Sequence, residues 1–102
     1  MSLSDLAPEL LEQLHYQPPR RYDVILHNDD FTPMDFVIDL LMRYFRHPVE
    51  QATEIMLQIH HEGSAVCGTY YKEIAETKIS QVQQRARAEG YPLLATMQPE
   101  RS

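Results

Sequence analysis

Asn28, Asp29 and Asp30 stand in a row and run directly into Phe31-Thr32-Pro33-Met34. Three consecutive side chains with oxygen acceptors suit a cation that carries several N–H donors, such as an ammonium group. His60 adds to the same chemistry, because a neutral imidazole nitrogen accepts a fourth hydrogen bond. Met34 and Met56 offer adaptable apolar lining beside such acceptors. Each observation has a plainer reading. Asn and Asp are ordinary turn residues. A single histidine on an apolar helix face is often a core residue bonded to the backbone, and the two methionines also fit a plain core.

Other chemistries find less support. Cys67 falls in an expected strand with no activating motif around it, which disfavours a catalytic thiol. His60, His61 and Glu62 with Asp29 and Asp30 suggest a metal by type. Adjacent histidines on a helix point about 100° apart, however, so they do not chelate one ion as an i, i+4 pair does. Only three glycines are present and none forms a phosphate-binding loop. No catalytic residue, cofactor or metal is therefore expected.

The elements that hold these residues can be read from the pattern. Tyr22 to His27 form a strand built on Val24, Ile25 and Leu26. Thr32 is the candidate N-cap of a first helix, with Pro33 at its first position. Met34, Val37, Ile38, Leu41, Tyr44 and Phe45 recur at helical spacing until His47-Pro48 breaks the run. Pro48 opens a second helix with Ala52, Ile55, Met56, Ile59 and His60 on one face, and Gly63 ends it. Ser64 to Tyr71 read as a strand. Lys72 to Glu89 read as a long helix striped by Ala75, Ile79, Val82 and Ala86. Leu93 to Met97 read as a last short strand. The expected fold is α+β: a small three-stranded antiparallel sheet packed on one face by three helices, in the order β-α-α-β-α-β.

Residues 1 to 21 differ from this pattern. Pro8, Pro18 and Pro19 punctuate them, and Leu6, Leu10, Leu11 and Leu14 give at most a short amphipathic turn of helix. They are expected to form a flexible arm, followed by a core domain over residues 22–98 and a tail over 99–102.

Composition narrows the partners. The chain has 102 residues, 43% hydrophobic and 24% charged, as a single globular domain requires. A net charge of -6 argues against nucleic acid or an anionic membrane as the main partner, and fits a cationic ligand or a basic protein surface. One cysteine excludes an internal disulfide framework and fits a reducing compartment. No apolar stretch is long enough to span a membrane, and no secretory signal pattern opens the chain.

The run from Val24 to Asp39, Val-Ile-Leu-His-Asn-Asp-Asp-Phe-Thr-Pro-Met-Asp-Phe-Val-Ile-Asp, closely resembles the signature of ClpS, the bacterial adaptor family of Clp proteases. Three further stretches agree in order and spacing: Ala52-Thr53 with Met56-Leu57, His60 and Gly63; Val66-Cys67-Gly68; and Glu76-Thr77-Lys78 with Pro92-Leu93-Leu94. The resemblance covers residues 20 to 97. It implies a non-enzymatic adaptor of the bacterial cytoplasm, expected as a monomer. Such an adaptor binds N-degron substrates whose first residue is Leu, Phe, Tyr or Trp and delivers them to a ClpA-type AAA+ unfoldase. By motif, Asn28, Asp29 and His60 match the positions that hold the α-amino group, and Asp30, Thr32 and Pro33 shape that site. Met34, Val37, Met56, Ile59 and Leu93 match the side-chain pocket, with Met34 as the gatekeeper against β-branched first residues. Glu73 and Lys78 match positions that dock the N-domain of the unfoldase, and the arm matches the extension that engages the ring. The alternative from another class is a structural or assembly domain that docks on a larger complex without a ligand pocket.

Overall fold

Val24 and Leu26 alternate with Asp23, Ile25 and His27 along β1 (Arg21–His27), and the two apolar residues are fully buried. This period of two faces one side of the strand to a core. The chain is represented by a computed structural model that describes residues 2, 5–15 and 18–101. Residues 1, 3, 4, 16 and 17 of the expected arm, and residue 102 of the tail, lie outside the described residues.

β1 is the central strand. β2 (Ser64–Tyr71) and β3 (Leu94–Pro99) flank it, both antiparallel, in the order β2-β1-β3. A register shift at Val24/Ile25 pairs Val24 with Gly68 but Ile25 with Val66. Gly68 then lies under the Tyr70 ring. A Cβ at that position would meet the Tyr70 hydroxyl oxygen at 2.2 Å, so any larger residue would have to displace that ring. The other sheet face stays open, as antiparallel sheets allow. His27 lies there with its Nε2 2.7 Å from Thr96 Oγ1, which gives a polar strand residue a partner. Asp23 is nearly buried and accepts a hydrogen bond from Thr69 Oγ1 at 2.8 Å.

Three helices cover the inner face, as the pattern indicated. They are α2 (Met34–Arg43), α3 (Val49–Glu62) and α4 (Lys72–Ala88). Leu40 and Leu41 of α2, Ala52 and Ile55 of α3, and Ala75, Val82 and Ala86 of α4 join Val24, Leu26 and Cys67 in one core. Burial pushes the Cys67 thiol up to about 12, so it is held protonated. A fourth, six-residue helix, α1 (Pro8–Gln13), occupies the arm and has no buried residue.

Four details depart from the sequence reading. Thr32 does not cap α2. Pro33 is the N-cap, in extended conformation and without a side-chain bond, because the Thr32 hydroxyl donates to Asp29 Oδ2 instead. α2 ends at Arg43, before His47-Pro48. The left-handed Arg46 (φ 59°) turns the chain there, and Lys78 Nζ donates to the Tyr44 carbonyl at 2.7 Å, satisfying an open helix-end acceptor. β3 starts at Leu94, so Leu93 precedes the strand, and only 1% of its surface is exposed. Sheet pairing also reaches one residue into the expected arm and tail: Arg21 forms an ion pair with Glu100, and the Glu100 N–H donates to the Arg21 carbonyl at 2.9 Å.

Candidate functional site

The ladder between β1 and β2 closes with His27 opposite Ser64, which sets the next residue, Asn28, beside the end of α3. The Asn28 N–H donates to the Gly63 carbonyl at 2.9 Å. Gly63 caps α3 in the left-handed conformation (φ 93°), with its N–H on the Ile59 carbonyl at 2.9 Å. His60 sits one turn before that cap. One backbone bond thus joins the Asn28-Asp30 turn to the helix that carries His60.

The turn is built around Asp29. Its Oδ1 accepts from the N–H groups of Phe31 and Thr32, each at 2.8 Å, and its Oδ2 accepts from Thr32 Oγ1 at 2.7 Å. Burial pushes this carboxyl up. The Thr32 hydroxyl, the two backbone N–H groups and the positive field of Arg87 outweigh it, so Asp29 is held below the ordinary carboxylate range. Sequence reasoning missed Arg87. Its Nη1 donates to the carbonyls of Tyr91 (2.6 Å) and Leu93 (3.1 Å), and no local motif ties it to a turn nearly sixty positions away.

Between turn and helices lies a cavity of about 230 Å³. Asn28, Asp29, Asp30, Thr32 and His60 form its polar end. Met34, Val37, Met56 and Ile59 form its apolar end. Sites for drug-sized ligands run to roughly 300–1,000 Å³, so this cavity has room for one large side chain. Val37, Met56 and Ile59 are buried and make its floor. Met34 is 46% exposed and stands at the mouth. His60 is exposed as well, contrary to the core-histidine alternative. Its ring meets that of His61 edge-on at 5.2 Å and makes no hydrogen bond among the described residues.

Eight of the lining positions, Asn28, Asp29, Asp30, Thr32, Met34, Val37, Met56 and Ile59, and His60 besides, were singled out from sequence. Two expected members do not line the cavity. Pro33 fixes the entry to α2, and Leu93 is packed in the core. Glu73 and Lys78 lie on α4. Glu73 is exposed in its first turn and lines an open groove with Tyr22, Tyr71 and Ile74. Lys78 is half-buried, and its ammonium stands 5.6 Å from the centroid of the Tyr70 ring. Among the described residues, no group of three His, Cys, Asp or Glu side chains is placed to hold a metal ion, and no helix is long and apolar enough to cross a membrane.

Chemically, the site joins a one-residue apolar cleft to a set of acceptors. Known proteins are similar to this chain in sequence and fold. Residues 17–96 match the family described as ATP-dependent Clp protease adaptor protein ClpS. The ATP-dependent Clp protease adapter protein ClpS of Vibrio atlanticus (strain LGP32) is 54% identical over 95 residues, covering 93% of this chain and 88% of that one. Its counterpart in Leptothrix cholodnii is 56% identical over 82 residues, covering 80% and 71%. Among solved structures, Agrobacterium tumefaciens ClpS2 bound to L-phenylalaninamide aligns with a TM-score of 0.78 and 38% identity, covering 80% of this chain and 99% of that one. The motifs, the three-stranded sheet under its helices and these relatives agree, and the chain belongs to the ClpS family of ATP-dependent Clp protease adaptors.

Proposed function

We propose that this chain binds the free N-terminus of N-degron proteins that begin with Leu, Phe, Tyr or Trp, and that it delivers them, as a monomer in the bacterial cytoplasm, to a ClpA-type AAA+ unfoldase. The carrying observation is the cavity itself, which sets the acceptors of Asn28, Asp30 and His60 directly beside the apolar floor of Val37, Met56 and Ile59. The relative solved with L-phenylalaninamide supports the reading, since that ligand is one large apolar side chain with a free amine.

The physics is consistent. An α-amino group titrates near 8, so at pH 7 it is charged and presents three donors. Neutral His60 and the Asn28 carbonyl oxygen accept two, and an acidic side chain takes the third, directly or through water. Burying the first side chain contributes about 1.5–3 kcal/mol. Acylation removes the charge and two of the donors together. A fluorescent peptide starting with Leu or Phe is expected to bind, and its N-acetylated form to bind at least about a hundredfold more weakly, the effect of the lost charge and two lost hydrogen bonds. Equal titration curves for the two peptides would refute amine recognition.

Met34 at the mouth is the gatekeeper in this reading. Its thioether leaves space for an unbranched Cβ and closes on a branched one. Met34→Ala is expected to admit peptides starting with Ile or Val while still binding those starting with Leu and Phe. A panel of such peptides measured against both proteins checks this. An unaltered preference would assign the limit to another residue.

A further inference from the structure

Among the described residues, the cavity has no Lys or Arg to neutralise an anion, and two carboxylates, Asp29 and Asp30, line it. Three backbone N–H donors of the turn are already engaged. That of Asn28 is on Gly63, and those of Phe31 and Thr32 are on Asp29. The Thr32 hydroxyl is also on Asp29. The N-terminus of α2 is a further feature that favours an anion. Asp35 stands in that first turn, and its Oδ1 accepts from the Phe36 N–H at 2.9 Å. Arg87, the cation whose field reaches Asp29, is committed to the Tyr91 and Leu93 carbonyls.

We infer that this site rejects free amino acids and accepts the same residue only when its carboxyl is masked as an amide or ester. The inference rests on the amine reading above and adds a second criterion to it. A bound α-amino group fixes the α-carbon at the polar end of the cavity. A free carboxylate, two bonds from the amine, is then held close to the carboxylates of Asp30 and Asp29, with only the neutral donors of Asn28 and His60 and no Lys or Arg to offset the repulsion. In a peptide the same position carries a neutral amide. Free leucine and phenylalanine then do not compete with protein N-termini, although their side chains fit.

The test is competition against a labelled Leu-starting peptide. The competitors are L-phenylalaninamide, L-phenylalanine methyl ester, L-phenylalanine and N-acetyl-L-phenylalaninamide. The ester matches the acid in shape and lacks only its charge. At about 20 mM salt, amide and ester are expected to compete, and the acid to need at least about tenfold more. The gap is expected to narrow in about 0.5 M salt and in Asp30→Asn, whose carboxylate makes no bond in the turn. Acid and ester competing equally at low salt would overturn the inference. So would a gap indifferent to both salt and Asp30→Asn, because its origin would not be electrostatic. If N-acetyl-L-phenylalaninamide competes as well as the amide, the amine reading itself fails, and this inference with it.

Discussion

Asp29→Ala is expected to abolish peptide binding and to lower folding stability by about 2–3 kcal/mol, the only one of the three amine-site substitutions to do both. The matching sequence positions give Asn28, Asp29 and His60 one shared role, but the structure divides it. Asp29 spends three of its acceptor sites inside the turn. Removing it strands the Phe31 and Thr32 N–H groups and releases the segment that lines the cavity. Asn28 and His60 keep their side-chain acceptors for a ligand. Asn28→Ala and His60→Ala are therefore expected to lose about ten- to a hundredfold in affinity, the effect of one unpaired charged donor, with an unchanged melting temperature. Peptide titration and thermal unfolding of the three variants check this. Full affinity in Asn28→Ala and His60→Ala would sink the assignment of the amine site. Undiminished stability in Asp29→Ala would refute the division.

Linkage adds a pH signature to the same prediction. The folded-state pKa of Asp29 is depressed, so its contribution to stability is complete above the unfolded carboxylate value near 4. It is lost only as the pH falls through the lower folded value. Between pH 7 and pH 5 the stability difference between Asp29→Ala and the parent chain is expected to hold steady, and to shrink below pH 4.

Deleting residues 1–17 is expected to reduce degradation of N-degron substrates by the reconstituted unfoldase and protease to near background, while peptide affinity and melting temperature stay put. No residue of α1 is buried, the sheet begins only at Arg21, and none of the described residues before Arg21 lines the cavity or joins the core. An AAA+ ring grips accessible chain, and the segment before the sheet is the long stretch that offers it. Delivery at the full rate by the truncated protein would refute this role for the arm. Docking needs a separate variant, and the structure chooses which. Lys78→Glu would remove the bond to the Tyr44 carbonyl and the contact with the Tyr70 ring, and would set a carboxylate against the end of α2. It would weaken the fold along with any interface. Glu73 is exposed and its side chain makes no hydrogen bond among the described residues, so Glu73→Lys is the cleaner probe. It is expected to weaken unfoldase binding at a folding cost of about 0.3–1 kcal/mol.

The sequence by itself determined the elements and the chemistry of the site. Alternation at Val24 and Leu26, helical spacing from Val37 to Leu41, and Gly63 at a helix end are local signals, and each was legible because its physics is local: pleat, turn period and left-handed backbone. The acceptors also came from sequence, since Asn28, Asp29, Asp30 and His60 show their types directly. Tertiary structure alone decided which of those acceptors are free. Asp29 is consumed because the turn folds back on it, and that same fold takes the Thr32 hydroxyl from its expected cap. Spacing also could not separate Leu93 in the core from Met34 at the mouth, because burial depends on what other elements lay over a residue. The field of Arg87 on Asp29, and the single bond from Asn28 to Gly63 that brings turn and helix together, join residues far apart in sequence. No local pattern encodes such contacts; they exist only once the sheet has set its register and the helices have closed over it.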